Sequence, residues 1–216
     1  MRTPLFALRH VLIMHGLCLF PLVCFGAVAV TERGPVRAAA WGVALAAVLL
    51  WGAVVQATLV PRGRGPVVPR PDGSVVVESP LRLVVLVVAA WVVMLAAVLG
   101  WVVVAITDLG SLESPGFTLV MMVGGVASLP DLVRLLRGRL HRWRVVADDD
   151  GIRYRGYHTD RVLTWSEVSA VRSPDKPPGV TVERKDGGPA LLVPAIAFDV
   201  LPDAIAQAVR ERRTRL

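Results

Sequence analysis

The residues of this 216-residue chain that could do chemistry are few and scattered. His158 and Asp160 share one turn, and Ser166 and Glu167 follow a few positions later. These types serve acid–base and nucleophilic sites, but turns collect them in any protein. No Cys/His cluster has metal-ligand spacing, no glycine-rich loop leads from a strand into a helix, and no paired carboxylates are set for acid–base work. The expectation is a protein that is not an enzyme and uses no cofactor. Cys18 and Cys24 sit six residues apart in one apolar run, about 9 Å along a helix axis, too far for a disulfide. Within the apolar stretches the polar side chains that could line a transport path are His15, Gln56 and Asp131. A transport path would need such groups at membrane depth. His15 reads as a packed or hydrogen-bonded helix residue. Asp131, just after Pro130, reads as an interfacial carboxylate within reach of Arg134 or Arg137.

A second group with chemical potential is basic. Arg134, Arg137, Arg139, Arg142 and Arg144 fall within 11 residues. Beside a membrane span, such a cluster attracts anionic lipid headgroups at about 1 kcal/mol per residue. The same cluster serves as a plain topological anchor. The formal net charge of +7 does not by itself point to nucleic acid. From Arg134 onward there are 16 Lys/Arg against 11 Asp/Glu, a surplus expected of a segment retained on the cytoplasmic side of a membrane. No nucleic-acid partner is expected.

The elements that must position these residues divide at one break in hydropathy. The chain is 54% apolar and only 19% charged, and residues 1–136 hold four apolar runs, at about 11–30, 38–60, 81–106 and 117–136. Each is read as a transmembrane helix, since about 20 apolar residues cross a hydrocarbon core. The fourth is the weakest, because its clean apolar part stops before Pro130 and Asp131. The second and third share Ala-Ala-Trp and Ala-Ala-Val-Leu segments at a constant offset of 50 (Trp41 with Trp91, Trp51 with Trp101), which low-complexity composition explains as well as an ancient repeat. Arg2, Arg9, Arg62, Arg64, Arg70 and the Arg134–Arg144 cluster put both termini and the 61–80 connection in the cytoplasm of a multi-pass membrane protein. The short external Thr31–Arg37 loop, with Arg33 and Arg37, is the one mild conflict. A cleaved leader ending near Ala27-Val28-Ala29 is the alternative reading of the first run. In the 61–80 connection, Asp72-Gly73 between apolar residues signals a turn. Its prolines limit it to a short edge-like ribbon that could rest against the C-terminal domain.

After a basic linker at 137–144, residues 145–216 change to a period of two. Strands are expected at 143–147, 152–155, 161–165, 168–173, 180–185 and 190–193. A closing helix follows, with Asp199 as N-cap, Pro202 in its first turn, and Leu201, Ile205, Ala208 and Val209 on one face.

Asp149-Asp150-Gly151-Ile152-Arg153-Tyr154-Arg155, then Arg161-Val162-Leu163-Thr164-Trp165-Ser166-Glu167-Val168, then Val182-Glu183-Arg184-Lys185-Asp186-Gly187 and a closing helix resemble the bacterial pleckstrin-homology-like (PH-like) domains. The likeness is to the short form common in actinobacterial membrane proteins, and it covers about residues 141–213. Joined to the four transmembrane helices read from hydropathy, it implies an α-helical membrane protein with a C-terminal PH-like antiparallel β-barrel or sheet capped by one helix. Gly151, Ile152, Trp165, Val168, Leu201 and Ile205 would carry the domain's core signature. Six strands are legible where the full fold has seven, which places a short or missed one near Pro194–Ala197. The resemblance further implies a binding or scaffolding module with a protein partner at the membrane. Lipid-binding relatives hold phosphates with basic residues on their first strands and loop. The corresponding Asp148-Asp149-Asp150 turn here would repel them. The alternative function is a small transporter- or channel-associated subunit that works through its helices.

Overall fold

A computed structural model describes residues 8–60, 63, 67–107, 115–139, 143–156, 159–174 and 178–215. The described residues form two compact units. One is helical, from Leu8–Gln56 and Val85–Arg137. The other is β-rich, and joins Ala57–Val84 to Gly138–Leu216.

The helices are α1 (Leu8–Thr31), α2 (Gly34–Thr58), α3 (Leu81–Thr107) and α4 (Pro115–Leu136). All four are long and apolar enough to cross a membrane. The shortest, α4, has 22 residues, or about 33 Å of rise against a core of about 30 Å. It stays helical through Pro130. Small residues let the helices approach: a Cβ on Gly42 would lie 2.7 Å from the Ala97 Cβ, and one on Gly125 would lie 2.8 Å from a Val98 methyl. Gly124 has open space instead. Trp101 is buried here, edge-on to Phe117 at 4.9 Å between ring centres.

The β-rich unit holds seven strands among the described residues. They are β1 (Val75–Glu78), β2 (Arg144–Ala147), β3 (Gly151–Arg155), β4 (Asp160–Thr164), β5 (Val168–Arg172), β6 (Gly179–Arg184) and β7 (Leu191–Pro194), closed by helix α5 (Pro202–Thr214). Two antiparallel sheets result, in the orders β1-β2-β3-β4 and β5-β6-β7. Inward residues of both, such as Val75, Val145, Ile152, Val168 and Val182, form one core with Ile205, Ala206 and Val209 of α5.

The seventh strand is not near Pro194–Ala197, where residues 195–197 make a short 3-10 turn. It is β1, taken from the connection between α2 and α3. Val75 pairs with Ala147, Val76 with Val146, Val77 with Val145 and Glu78 with Arg144. The Asp72-Gly73 turn forms as its residues suggest. Asp72 accepts from the Ser74 amide and hydroxyl at 2.9 and 2.7 Å, and Gly73 takes a left-handed φ of 77°. One arm of that turn then becomes a strand of the C-terminal domain.

This pairing constrains the membrane topology. The segment before α3 and the segment after α4 share one sheet, so they lie on the same side of any membrane that α3 crosses. The weakest span, α4, must then cross back.

Two details at α5 differ from the sequence reading. Its N-cap is Leu201, with Pro202 supplying the first turn and no side-chain cap. The Asp199 carbonyl instead accepts from the Gly63 amide at 2.7 Å. Leu201 is therefore half-buried at the helix mouth, outside the buried core that Ile205 helps to form.

Because β2 has β1 on one side and β3 on the other, residues 138–216 alone should expose the β2 edge and bare Val145 and Ala147. That piece should aggregate or melt broadly, whereas a fusion carrying 67–79 ahead of it should give a dispersed NMR spectrum and a cooperative melt. Equal melting of the two would contradict the pairing.

Candidate functional site

The Trp165 step is a corner that ties the two sheets together. Trp165 donates its indole N–H to the Asp148 carbonyl at 2.9 Å, and its body packs on the core. Glu167 reaches back so that its carboxylate accepts from the Thr164 amide at 2.8 Å and the Thr164 hydroxyl at 2.9 Å. Those bonds, the amide first, hold the Glu167 carboxyl below its ordinary pKa, with Arg184 adding to them. Ser166 pairs its hydroxyl with that of Thr164 at 2.8 Å. The residues that could suggest catalysis here are thus turn and capping groups. His158 lies outside the described residues, and Asp160 faces Arg139 at 4.0 Å. Among the described residues, no group of three or more His, Cys, Asp or Glu could hold a metal ion.

Gly151 starts β3 because nothing larger fits. A Cβ there would overlap the Leu163 carbonyl oxygen and lie 2.8 Å from the Thr164 Cα. Ile152 and Val168 sit fully inside the core.

The acidic turn is bound up in local structure. Asp148 accepts from the amides of Asp150 and Gly151 at 3.1 and 3.2 Å. Arg153 spans Asp148 and Asp150 at 3.5 and 3.4 Å. Asp149 pairs with Arg212 of α5, which also lies against Gly73, where a Cβ would meet its guanidinium at 2.6 Å. Arg213 donates to the Val168 and Ser169 carbonyls at 2.9 and 3.0 Å. Arg212 and Arg213 thus fasten α5 to the turn before β1, to the acidic turn and to β5.

The register places two rows on the outward face of the four-stranded sheet. One is Glu78, Arg144, Arg155, Asp160, and the next is Val76, Val146, Arg153, Val162. Arg144 pairs with Glu78 at 3.4 Å. Val162 is 60% exposed.

The basic cluster is divided by its partners. Arg134 pairs with Asp131 at 2.5 Å within α4, while Arg137 is exposed just past that helix. Arg139 and Arg144 belong to the β-rich unit and its ion pairs. Arg142 lies outside the described residues. In the helical unit, His15 Nδ1 accepts from the Trp51 indole at 2.9 Å, joining α1 to α2. Gln56 is half-buried near the end of α2.

A helical membrane unit followed by two antiparallel sheets and a closing helix defines a membrane protein that displays a PH-like domain. Comparison with protein families bears this out: residues 142–215 match the Bacterial PH domain. No curated protein and no solved structure matches the chain. The matched stretch runs from β2 to α5, and β1 lies outside it.

Gly151→Ala should cost the domain about 2–3 kcal/mol, since the clash is with backbone and cannot relax by rotation of a side chain. The measurement is the thermal or urea midpoint, and a loss below about 0.5 kcal/mol would contradict the packing.

Burial pushes the Tyr154 phenol up to about 12. A folded value above the unfolded one means stability that is whole below about pH 10 and is lost as pH climbs toward the folded value. Asp72, Glu167 and Asp186 are shifted the other way by hydrogen bonds, chiefly from Ser74, Thr164 and Gly188. Their contribution is present above the ordinary carboxylate range and fades as pH falls through it. The domain should therefore melt highest between these limits. Tyrosinate absorbance in a Tyr157→Phe background should appear only together with unfolding.

Proposed function

We propose that this protein is a bacterial inner-membrane scaffold whose PH domain, held at the cytoplasmic face, recruits or regulates a protein partner, and that it is not an enzyme. The observation that carries this reading is the split sheet. By taking one strand from the connection between two spans, the domain is anchored to the membrane region at three points: the start of β1, its exit into α3, and the entry to β2 after α4. Such a domain is held at the surface, as a docking platform would need. The basic residues in the 61–80 connection and after α4 support the cytoplasmic side.

The chemistry around the domain supports a protein ligand over a phosphorylated headgroup. The turn between β2 and β3 carries Asp148, Asp149 and Asp150, and the arginines nearest to it, Arg153 and Arg212, are already paired with them. The polar groups of the helices also have internal roles, His15 with Trp51 and Asp131 with Arg134. That favours the scaffold over a transport subunit.

Affinity purification from native membranes in mild detergent should recover a partner with the full chain and lose it with a chain ending at Arg137. Equal recovery from both would move the function into the helices.

A further inference from the structure

We infer that the outer edge of β4 is the docking edge of the domain, and that it takes an extended, alternating apolar–acidic segment of the partner as an added strand. This inference rests on the scaffold reading and names its surface.

Hydrogen-bond parity fixes what β4 offers. The hairpin closes with the Gly156 amide donating to the Thr159 carbonyl at 2.7 Å, and the β3–β4 register continues from that pair. In an antiparallel ladder, bonded and non-bonded pairs alternate. Arg161 and Leu163 therefore point their backbone groups at β3, while Asp160, Val162 and Thr164 point theirs outward. The structure agrees at Thr164, whose amide and carbonyl are both engaged by Glu167. The amides and carbonyls of Asp160 and Val162 have no such cover among the described residues.

The other three edges are obstructed. Arg213 occupies two carbonyls of β5, and α5 packs against that strand. In β7 the outward positions are Leu192 and Pro194, and Pro194 has no amide to give. Strand β1 is packed by α5 and runs into α3 after two residues. Exposed sheet edges are normally blunted in this way. On β4 no outward position is a proline, and the central outward residue is the exposed Val162, which lies beside Arg153 on the outward face.

The occupant follows from the side chains along that edge. An added strand pairs backbone to backbone and places alternate side chains on opposite faces. The residue beside Val162 packs on its exposed side chain, so it is apolar, preferably β-branched. The residue beside Arg161 lies on the other face and meets an exposed guanidinium. Arg139 and Arg144 in the neighbouring row already face Asp160 and Glu78, so the acidic preference falls on the residue beside Arg161.

The test uses the full-length protein in native membranes, with a photo-reactive residue replacing Val162 and, as control, Leu192. The expected result is an adduct from position 162 whose mapped site lies in an apolar–acidic segment of another protein, with little from position 192. Recovery of that same protein should then fall between about three- and ten-fold in Val162→Pro, which removes one outward amide and no ladder bond. Val162→Thr should retain it. Should Val162→Pro lower the melting temperature, Arg161→Glu decides, with the same fall expected. Adducts only to a second copy of this chain, only to lipid, or none would overturn the proposal. Recovery unchanged in Val162→Pro and Arg161→Glu would overturn the edge while leaving the scaffold reading intact. If no partner depends on the PH domain, both fall.

Discussion

The ladder between Val75–Glu78 and Arg144–Ala147 is the contact on which the rest of the structure depends. It joins parts of the chain separated by two membrane-crossing helices. Without it, β2 becomes an edge strand, the inward valines of β1 leave the core, and the anchor for Arg212 at the Asp72-Gly73 turn is lost. It also fixes the parity of the crossings, because strands of one sheet cannot lie on opposite sides of a bilayer. Open sheet edges do not occur in hydrocarbon, so this four-stranded sheet can form only outside the membrane.

A second layer of interactions holds the domain around that ladder. Trp165 pins the corner between the sheets to the acidic turn, and Glu167 closes the turn behind it. Arg212 and Arg213 fasten α5 to three separate strands or turns. Each is worth on the order of 1 kcal/mol when exposed to water. Their value lies in geometry, since they fix how α5 covers the strands among the described residues.

Much of this was legible in the sequence. The four spans stand out because apolar runs of 20 or more residues have no other economical structure. The period-two strands and the buried face of α5 follow from local pattern, and the importance of Trp165 from the family resemblance. What escaped were relations between distant residues. Val77 and Val145 carry no local sign that they are partners, and the Asp72-Gly73 turn pointed to a ribbon resting against the domain but not to a strand within its sheet. Leu201 reads as a core residue by helical spacing, but Pro202 starts the helix one residue later and leaves Leu201 at its mouth. Arg212 and Arg213 lie in a charge run with no local sign of their partners, and only the fold brings Asp149 and the Val168 carbonyl within their reach.

The most direct measurement is cross-linking of Val76→Cys with Val146→Cys, in a chain whose Cys18 and Cys24 are replaced by alanine. The two positions oppose each other on the outward face as a non-bonded pair, with Cα atoms about 4.5 Å apart, a separation that disulfides accept. Mild oxidation of native membranes should link them quickly and shift the chain on a denaturing gel. Val76→Cys with Val162→Cys, about 14 Å apart across three strand spacings, should not react. No bridge between 76 and 146, or equal reaction of both pairs, would contradict the split sheet.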